Sequence, residues 1–416
     1  MTVGVGGSRS FTLSLRTYTI TLILSSALYF LRFPGISVYI FDVIWFFGLA
    51  LFPRLFLRMP RANYLSLIAL STATFLSICY VEIDKRPLEP IQAIIILMRF
   101  LQMTICANFF YNCLIGGKIV PRDFLFPALI SLLIPILGGL ALYQIAPEMA
   151  VTFNRYSGYF GNPNSLSLYV VVSASVFYAL MRLELIPRWT SFTLQLIFFA
   201  ISSYSLMLTG SNSGMLLFIV VTMIAFLSSL RGMVFLFLGI GVLFLFILPL
   251  QNAILTWAFD MMNSDFSGLQ RTGNLIVVLF EGLELDRLGS SAYRDEVKDY
   301  LFEQQFSDLG NVLVGLGVGQ SKNMIYIIDS TSVTIHNFYL LIFLEFGLLG
   351  SVCFAFLSFL TFNRFHLDAV ALLAFSGFLL ASSGTPVLYL PFFWVPLFAV
   401  LAGVTHTHLT NRAHGL

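Results

Sequence analysis

The stretch TIHNFYLLIFLEFGLLGSV, Thr334 to Val352, decides how this chain is read. From Asn337 onward it is dominated by Leu, Ile and Phe, and the apolar run continues to about residue 361. A helix crosses the hydrocarbon core of a membrane in about 20 such residues. Three features do not fit a plain lipid anchor. His336 and Asn337 open the run, Glu345 lies inside it, and Gly347 and Gly350 follow. At 100° per residue, His336, Phe343, Gly347 and Gly350 share one face of an unbroken helix. Glu345, nine residues from His336, faces the other way.

Working outward, similar apolar runs recur along the whole chain. It has 416 residues, 58% hydrophobic and 10% charged, with a mean hydropathy of +0.90. That composition excludes a soluble globular domain and predicts an all-α polytopic membrane protein. Twelve spans are expected, over residues 17–33, 36–53, 63–81, 91–115, 124–146, 165–182, 190–209, 213–230, 232–250, 335–361, 368–385 and 388–408. The first is read as a retained span rather than a cleavable signal, because others follow it directly. The linear division is then 1–250 with nine spans, 251–334 as one large loop, and 335–416 with three spans and a tail.

Lys and Arg in short loops set the orientation. With the N-terminus in the cytoplasm, the inner loops hold Arg9, Arg16, Arg54, Arg58, Arg61, Lys118, Arg122, Arg182, Arg188, Arg231, Arg364 and Arg412. The outer short loops hold Arg32, Lys85, Arg86 and Arg155. Both termini are therefore expected in the cytoplasm and the large loop outside it. That loop carries 11 of the 20 acidic residues, so it is no plain connector. Within it a helix is expected from Ser291 to Gln305, placing Tyr293, Val297, Tyr300, Leu301 and Gln304 near one face.

The cysteines Cys79, Cys106, Cys113 and Cys353 lie in apolar runs without metal-ligand spacing, and read as small packing residues. No clear metal site is expected, although DRLGSSAYRD, Asp286 to Asp295, is acidic enough to leave metal binding open. No cofactor or nucleic-acid partner is expected. The polar candidates lie elsewhere. His336 sits where the large loop re-enters the membrane, suited to proton transfer near neutral pH or to a structural bond with a neighbouring loop. Arg99, in ILMRFLQM, is the one basic residue well inside a span, and Glu345 is its expected partner. In NRYSGYFGNPNSLSLYV, Arg155 precedes a tight turn, and Asn164 or Ser165 is the expected cap of the next helix. An arginine beside a helix N-terminus suits a phosphate, although a solvated turn reads equally well. LTGSNSG, Leu208 to Gly214, is a small polar turn containing Asn212. SSAYRDEVKDY, Ser290 to Tyr300, carries Tyr293 and Arg294. GLGVGQS, Gly315 to Ser321, lacks the form of a nucleotide-binding loop and reads as a bend returning toward His336.

Taken in order, Arg155 with GNPN, the TGS-x-SG turn, the arginine-bearing loop helix, GLGVG, and HNFYLLIFLEFGLLG resemble the bacterial O-antigen ligases and O-antigen polymerases. The resemblance covers roughly residues 150–360. It departs from the family in two places. Asn212 stands where members often carry Arg, a role Arg271 or Arg287 could take. Asn337 follows His336 directly, where ligases show His-x-[Asn/Ser/Gln].

The resemblance implies a C-type glycosyltransferase-like fold in the inner membrane, working metal-independently at the periplasmic face. The donor it implies is an oligosaccharide on undecaprenyl pyrophosphate. A polymerase would transfer this to a second lipid-linked glycan, and a ligase to lipid A-core. The two departures favour the polymerase. His336, Arg294 and Arg155 would be catalytic, with Asn164, Asn337, Tyr293 and Asn212 binding substrate. Glu345, Arg99, Gly347 and Gly350 would serve structure, and a chain-length regulator would be a further partner. Reading the chain as a flippase of such lipids requires a polar path through the membrane. The spans show little charge beyond Arg99 and Glu345. A purely structural subunit leaves the loop arginines and His336 without a role.

Overall fold

The computed structural model describes residues 6–28, 39–83, 90–115, 120–183, 186–227, 251–281, 291–317, 337–382 and 391–413. Among these the chain is helical almost throughout. The helices are α1 Gly6–Ala27, α2 Ile40–Leu51, α3 Pro53–Leu57, α4 Arg61–Ile83, α5 Pro90–Ile115, α6 Arg122–Ile145, α7 Pro147–Ala150, α8 Pro163–Arg182, α9 Arg188–Thr209 and α10 Asn212–Leu227. They continue with α11 over 251–262, α12 Ser267–Glu281, α13 Ser291–Phe306, α14 Leu309–Val314, α15 Phe338–Phe362, α16 Ala369–Ser382 and α17 Pro391–Ala413. One two-residue hairpin, β1 Val151–Thr152 and β2 Arg155–Tyr156, interrupts them, pairing Val151 with Tyr156 and Thr152 with Arg155.

Six of these helices are long and apolar enough to cross a membrane: Arg61–Cys79, Arg122–Ile145, Pro163–Arg182, Trp189–Thr209, Phe338–Phe362 and Pro391–Asn411. The chain is an all-α membrane protein. The expected span 232–250 lies outside the described residues.

Two compact units emerge, and they do not follow the linear order of the chain. One comprises Met1–Leu132, Val297–Ala371 and Pro386–Leu416; the other comprises Leu133–Glu296 and Leu372–Thr385. The reason is that helices from both ends of the chain pack together in the first unit.

In the first unit an aromatic cluster binds α1, α3 and α5. Phe56 and Phe109 stack with centroids 4.4 Å apart, and Tyr18 meets Phe109 edge-on at 5.7 Å. Such pairs add about 0.5–1.5 kcal/mol each beyond simple burial. Lipid is as apolar as Leu, so specific packing of this kind, rather than withdrawal from water, orders the helices.

In the second unit α8 is the axis, with 17 of its 20 residues buried. Small residues let neighbours approach it closely. Ser175 Oγ donates to the Ala374 carbonyl at 3.1 Å, and a Cβ on Gly377 would stand 2.5 Å from Ser175 Cβ. Phe177 and Phe198 stack at 4.1 Å across α8 and α9.

The helix holding the opening stretch is broken. It runs from Phe338, but Gly347 adopts φ 63, ψ −165 before the helix resumes. The single-face arithmetic joining His336 to Gly347 and Gly350 therefore stops at Gly347, because the break resets the helical phase.

Candidate functional site

The motif stretches gather into two clusters, one in each unit. In the second unit the hairpin presents Arg155. Its two-residue turn, Phe153 and Asn154, has φ 54 at both positions, an uncommon left-handed geometry for non-glycine residues. The turn is held from outside. Asn154 Nδ2 donates to the Asp265 carbonyl, and Ser267 Oγ donates to the Asn154 carbonyl at 2.7 Å. Tyr156, the next residue, is fully buried, with Gly139 and Gly158 against its hydroxyl. Burial pushes the Tyr156 phenol pKa up, with Tyr159 and Tyr204 adding to the effect. Alternation along β2 thus sends Tyr156 inward and leaves Arg155 half-buried.

Arg155 is fixed at two atoms. Its Nε donates to the Thr209 carbonyl at 2.7 Å, and its Nη2 donates to Asn164 Oδ1 at 3.3 Å. This ties GNPN to the TGS-x-SG turn. Ser167 Oγ donates to Ser211 Oγ at 2.9 Å, and Gly214 closes on Ser167, where a Cβ would stand 2.5 Å from the serine Cβ. The start of α12 completes the cluster. Gly268 meets the Leu208 carbonyl and Gly210 backbone to backbone, and Thr272 Oγ1 donates to the Met207 carbonyl at 2.9 Å. Arg271 lies between Gly268 and Thr272 on that helix.

The helix start differs from the sequence expectation. Asn162 is the N-cap of α8, its side chain accepting from Asn164 N–H at 2.9 Å, with Pro163 at the first helical position. Proline preset for that position moves the start ahead of Asn164 and Ser165. Asn164 is thereby released to hold Arg155. Asn212 opens α10, half-buried, and its amide oxygen takes no hydrogen bond from the described residues.

The second cluster lies in the first unit, at the break in α15. A helix interruption leaves carbonyls that must find donors, all the more so at membrane depth. The Leu344 carbonyl accepts from Leu316 N–H at 2.7 Å, and the Glu345 carbonyl accepts from Ser77 Oγ of α4 at 2.8 Å. Gln305 Nε2 of α13 reaches the Phe343 carbonyl at 3.5 Å and the Asn311 carbonyl at 2.6 Å. Gly315 and Gly317, with φ 93 and 101, form the bend that docks here. Gly315, at the start of the bend, packs on Glu345 and Gly347, and the rest of the stretch from residue 318 to His336 lies outside the described residues. Glu345 is buried, and Asn337 caps α15 by accepting from Leu340 N–H at 3.0 Å.

Arg99 forms its ion pair with Asp42 of α2. Nη2 donates to Oδ2 at 2.9 Å, Nη1 donates to Oδ1, and Gln102 Nε2 adds a bond to Oδ1 at 3.0 Å. Asp42 also accepts from Tyr39 N–H at 3.0 Å. Glu345 is the partner that the sequence suggests. Asp42 escapes notice because it looks like a residue of a helix start, a role it also fills.

His336 and Arg287 lie outside the described residues. Tyr293 and Arg294 stand on α13, but their side chains lie outside the described residues. Among the described residues no three His, Cys, Asp or Glu side chains gather to hold a metal ion. Chemically, the second unit offers an immobilised guanidinium beside a helix N-terminus, which favours an anion. The chain matches none of the known protein-family models, and no curated protein matches it at a significant level.

Proposed function

We propose that the protein is a membrane glycosyltransferase that polymerises polyprenyl-pyrophosphate-linked glycans at the outer face of the bacterial inner membrane. In this reading the chain crosses the membrane twelve times, with both termini in the cytoplasm. The observation that carries it is the immobilisation of Arg155 by the Thr209 carbonyl and the Asn164 amide. Two motif stretches, the Arg155-to-Asn164 segment and the Thr209 turn, meet there, and the result is a fixed cation where a pyrophosphate can sit. The large acidic loop, helical over most of its described residues, supports a covering role over bound sugars.

In the reaction, the bond between the anomeric carbon and the pyrophosphate oxygen breaks. The acceptor hydroxyl oxygen bonds to that carbon, and its proton passes to His336. The electron pair leaves with the pyrophosphate, whose growing charge Arg155 and Arg294 offset. Asn164, Asn212, Tyr293 and Asn337 would bind substrate in this reading, and no cofactor takes part.

A strain lacking the gene, complemented with wild type, His336→Ala, Arg294→Ala or Arg155→Ala, tests this. Wild type restores long-chain surface glycan, and each variant fails to do so at normal protein level. Core bearing a single repeat unit marks lost polymerase activity. Core bearing none marks a ligase acting on lipid A-core. Normal glycan in all three variants defeats the enzyme reading and favours a lipid-handling role without chemistry.

A further inference from the structure

The first unit contains a cavity of about 1030 Å³ that the glycosyl-transfer reading does not use. Three arginines, Arg54, Arg58 and Arg364, line it together with Tyr111 and Asn112; the rest of the wall is apolar and includes Leu57 and Ile115. No carboxylate is among the lining residues.

The cavity is built, not incidental. α2 ends at Leu51, and Pro53 starts the single turn of α3. Arg54 and Arg58, four residues apart, therefore fall on one face of the corner. Two asparagines one turn apart on α5 pin this corner. Asn108 Nδ2 donates to the Phe56 carbonyl at 2.5 Å, and Asn112 Nδ2 donates to the Leu55 and Arg58 carbonyls at 2.8 and 2.9 Å. Arg364, just past the end of α15, closes the opposite wall. Its Nη1 donates to Asn108 Oδ1, and its guanidinium carbon lies 4.1 Å from the Tyr111 ring centroid. Burial draws the Arg364 pKa below its ordinary value, while Tyr111 pulls it back. Among the described residues the salt bridges are Arg16–Asp123 and Arg99–Asp42, so none involves these three arginines.

We propose that this cavity binds the phosphate headgroup of an anionic membrane phospholipid, with the first part of its acyl chains against the apolar wall. Three cations with no carboxylate among the described lining residues call for an anion, and two of them stand four residues apart at one corner. Leu57 and Ile115 are exposed beside the arginines, which fits an acyl chain better than a soluble anion. Arginine pockets between membrane helices on the basic side commonly take such headgroups. A phosphate here ties α3, α5 and the end of α15 together. This proposal does not rest on the glycosyl-transfer reading, and its test uses no glycan readout.

The test is lipid binding to the full-length protein in detergent, followed by native mass spectrometry. The probes are phosphatidylglycerol, phosphatidylcholine and inorganic phosphate. Wild type binds phosphatidylglycerol in preference to phosphatidylcholine. The Arg54→Gln/Arg58→Gln variant binds it about thirtyfold more weakly, and Arg58→Gln alone about fivefold. Arg61→Gln, outside the cavity, leaves binding unchanged. The single variant carries the test should the double variant not fold. Equal phosphatidylglycerol affinity in wild type and Arg58→Gln overturns the proposal. So does full displacement of the lipid by inorganic phosphate, which assigns the cavity to a soluble anion.

Discussion

Gly315 and Gly347 lie backbone against backbone. A Cβ on Gly315 would stand 2.6 Å from Gly347 N, and one on Gly347 would stand 2.5 Å from Gly315 N. Both residues have positive φ, 93 and 63. Alanine at either position meets unyielding backbone and an unfavourable conformation together. Gly161 shares the positive φ, 61, but has open space around it. Gly347→Ala and Gly315→Ala are each expected to cost about 3 kcal/mol or more, and Gly161→Ala about 1 kcal/mol. Thermal unfolding of the purified protein in detergent checks the order. Equal losses at all three would show that the close approach contributes nothing.

The Arg99–Asp42 pair predicts a characteristic double-mutant pattern. Removing one charge strands the other away from water. Arg99→Leu or Asp42→Leu alone is therefore expected to cost about 3–5 kcal/mol, whereas the double variant is milder than either. A thermal-stability cycle measures this. A double variant worse than both singles would contradict the pairing.

Arg155 uses a fork of donors that lysine cannot reproduce. Arg155→Lys keeps the charge but cannot hold the Thr209 carbonyl and Asn164 together. Long-chain glycan output is expected to fall by about two orders of magnitude in Arg155→Ala. Arg155→Lys recovers only part of it, and Asn164→Ala falls between. Gel profiles normalised to protein level distinguish these. Full recovery by lysine would mean that charge alone matters.

Gly214 and Ser167 make a reciprocal prediction. Gly214→Ala presses its methyl onto Ser167 Cβ and is expected to cost about 1–3 kcal/mol through overpacking. Adding Ser167→Gly removes the obstructing atom and restores most of the stability, even though it also removes the bond to Ser211. Melting curves of the single and double variants show whether space or hydrogen bonding governs this contact.

The all-α membrane character is legible from composition and apolar run length. The helix expected over Ser291–Gln305 runs from Ser291 to Phe306. Local signals also carry the first cluster, since Asn-Pro and Gly-Ser pairs mark the turns that hold Arg155. The break in α15 is not legible in this way. Leu348 and Leu349 continue the apolar pattern straight through Gly347, and nothing nearby announces an interruption. The groups that make the break tolerable are Ser77, Gln305 and Leu316, remote in sequence from the carbonyls they satisfy. Asp42 is hidden for a similar reason. Its role depends on a guanidinium 57 residues away.

The same break sets a constraint on how the protein is made. Ser77 precedes Glu345 by 268 residues. At ordinary synthesis speeds that interval is on the order of tens of seconds. Throughout it, the Ser77 hydroxyl waits for a carbonyl not yet translated. When α15 emerges, its interrupted backbone is tolerable only beside α4, Gln305 and the Gly315 bend. Insertion of this helix is thus tied to a socket formed by earlier segments. Truncation before Phe338 would leave that socket empty in an otherwise inserted chain.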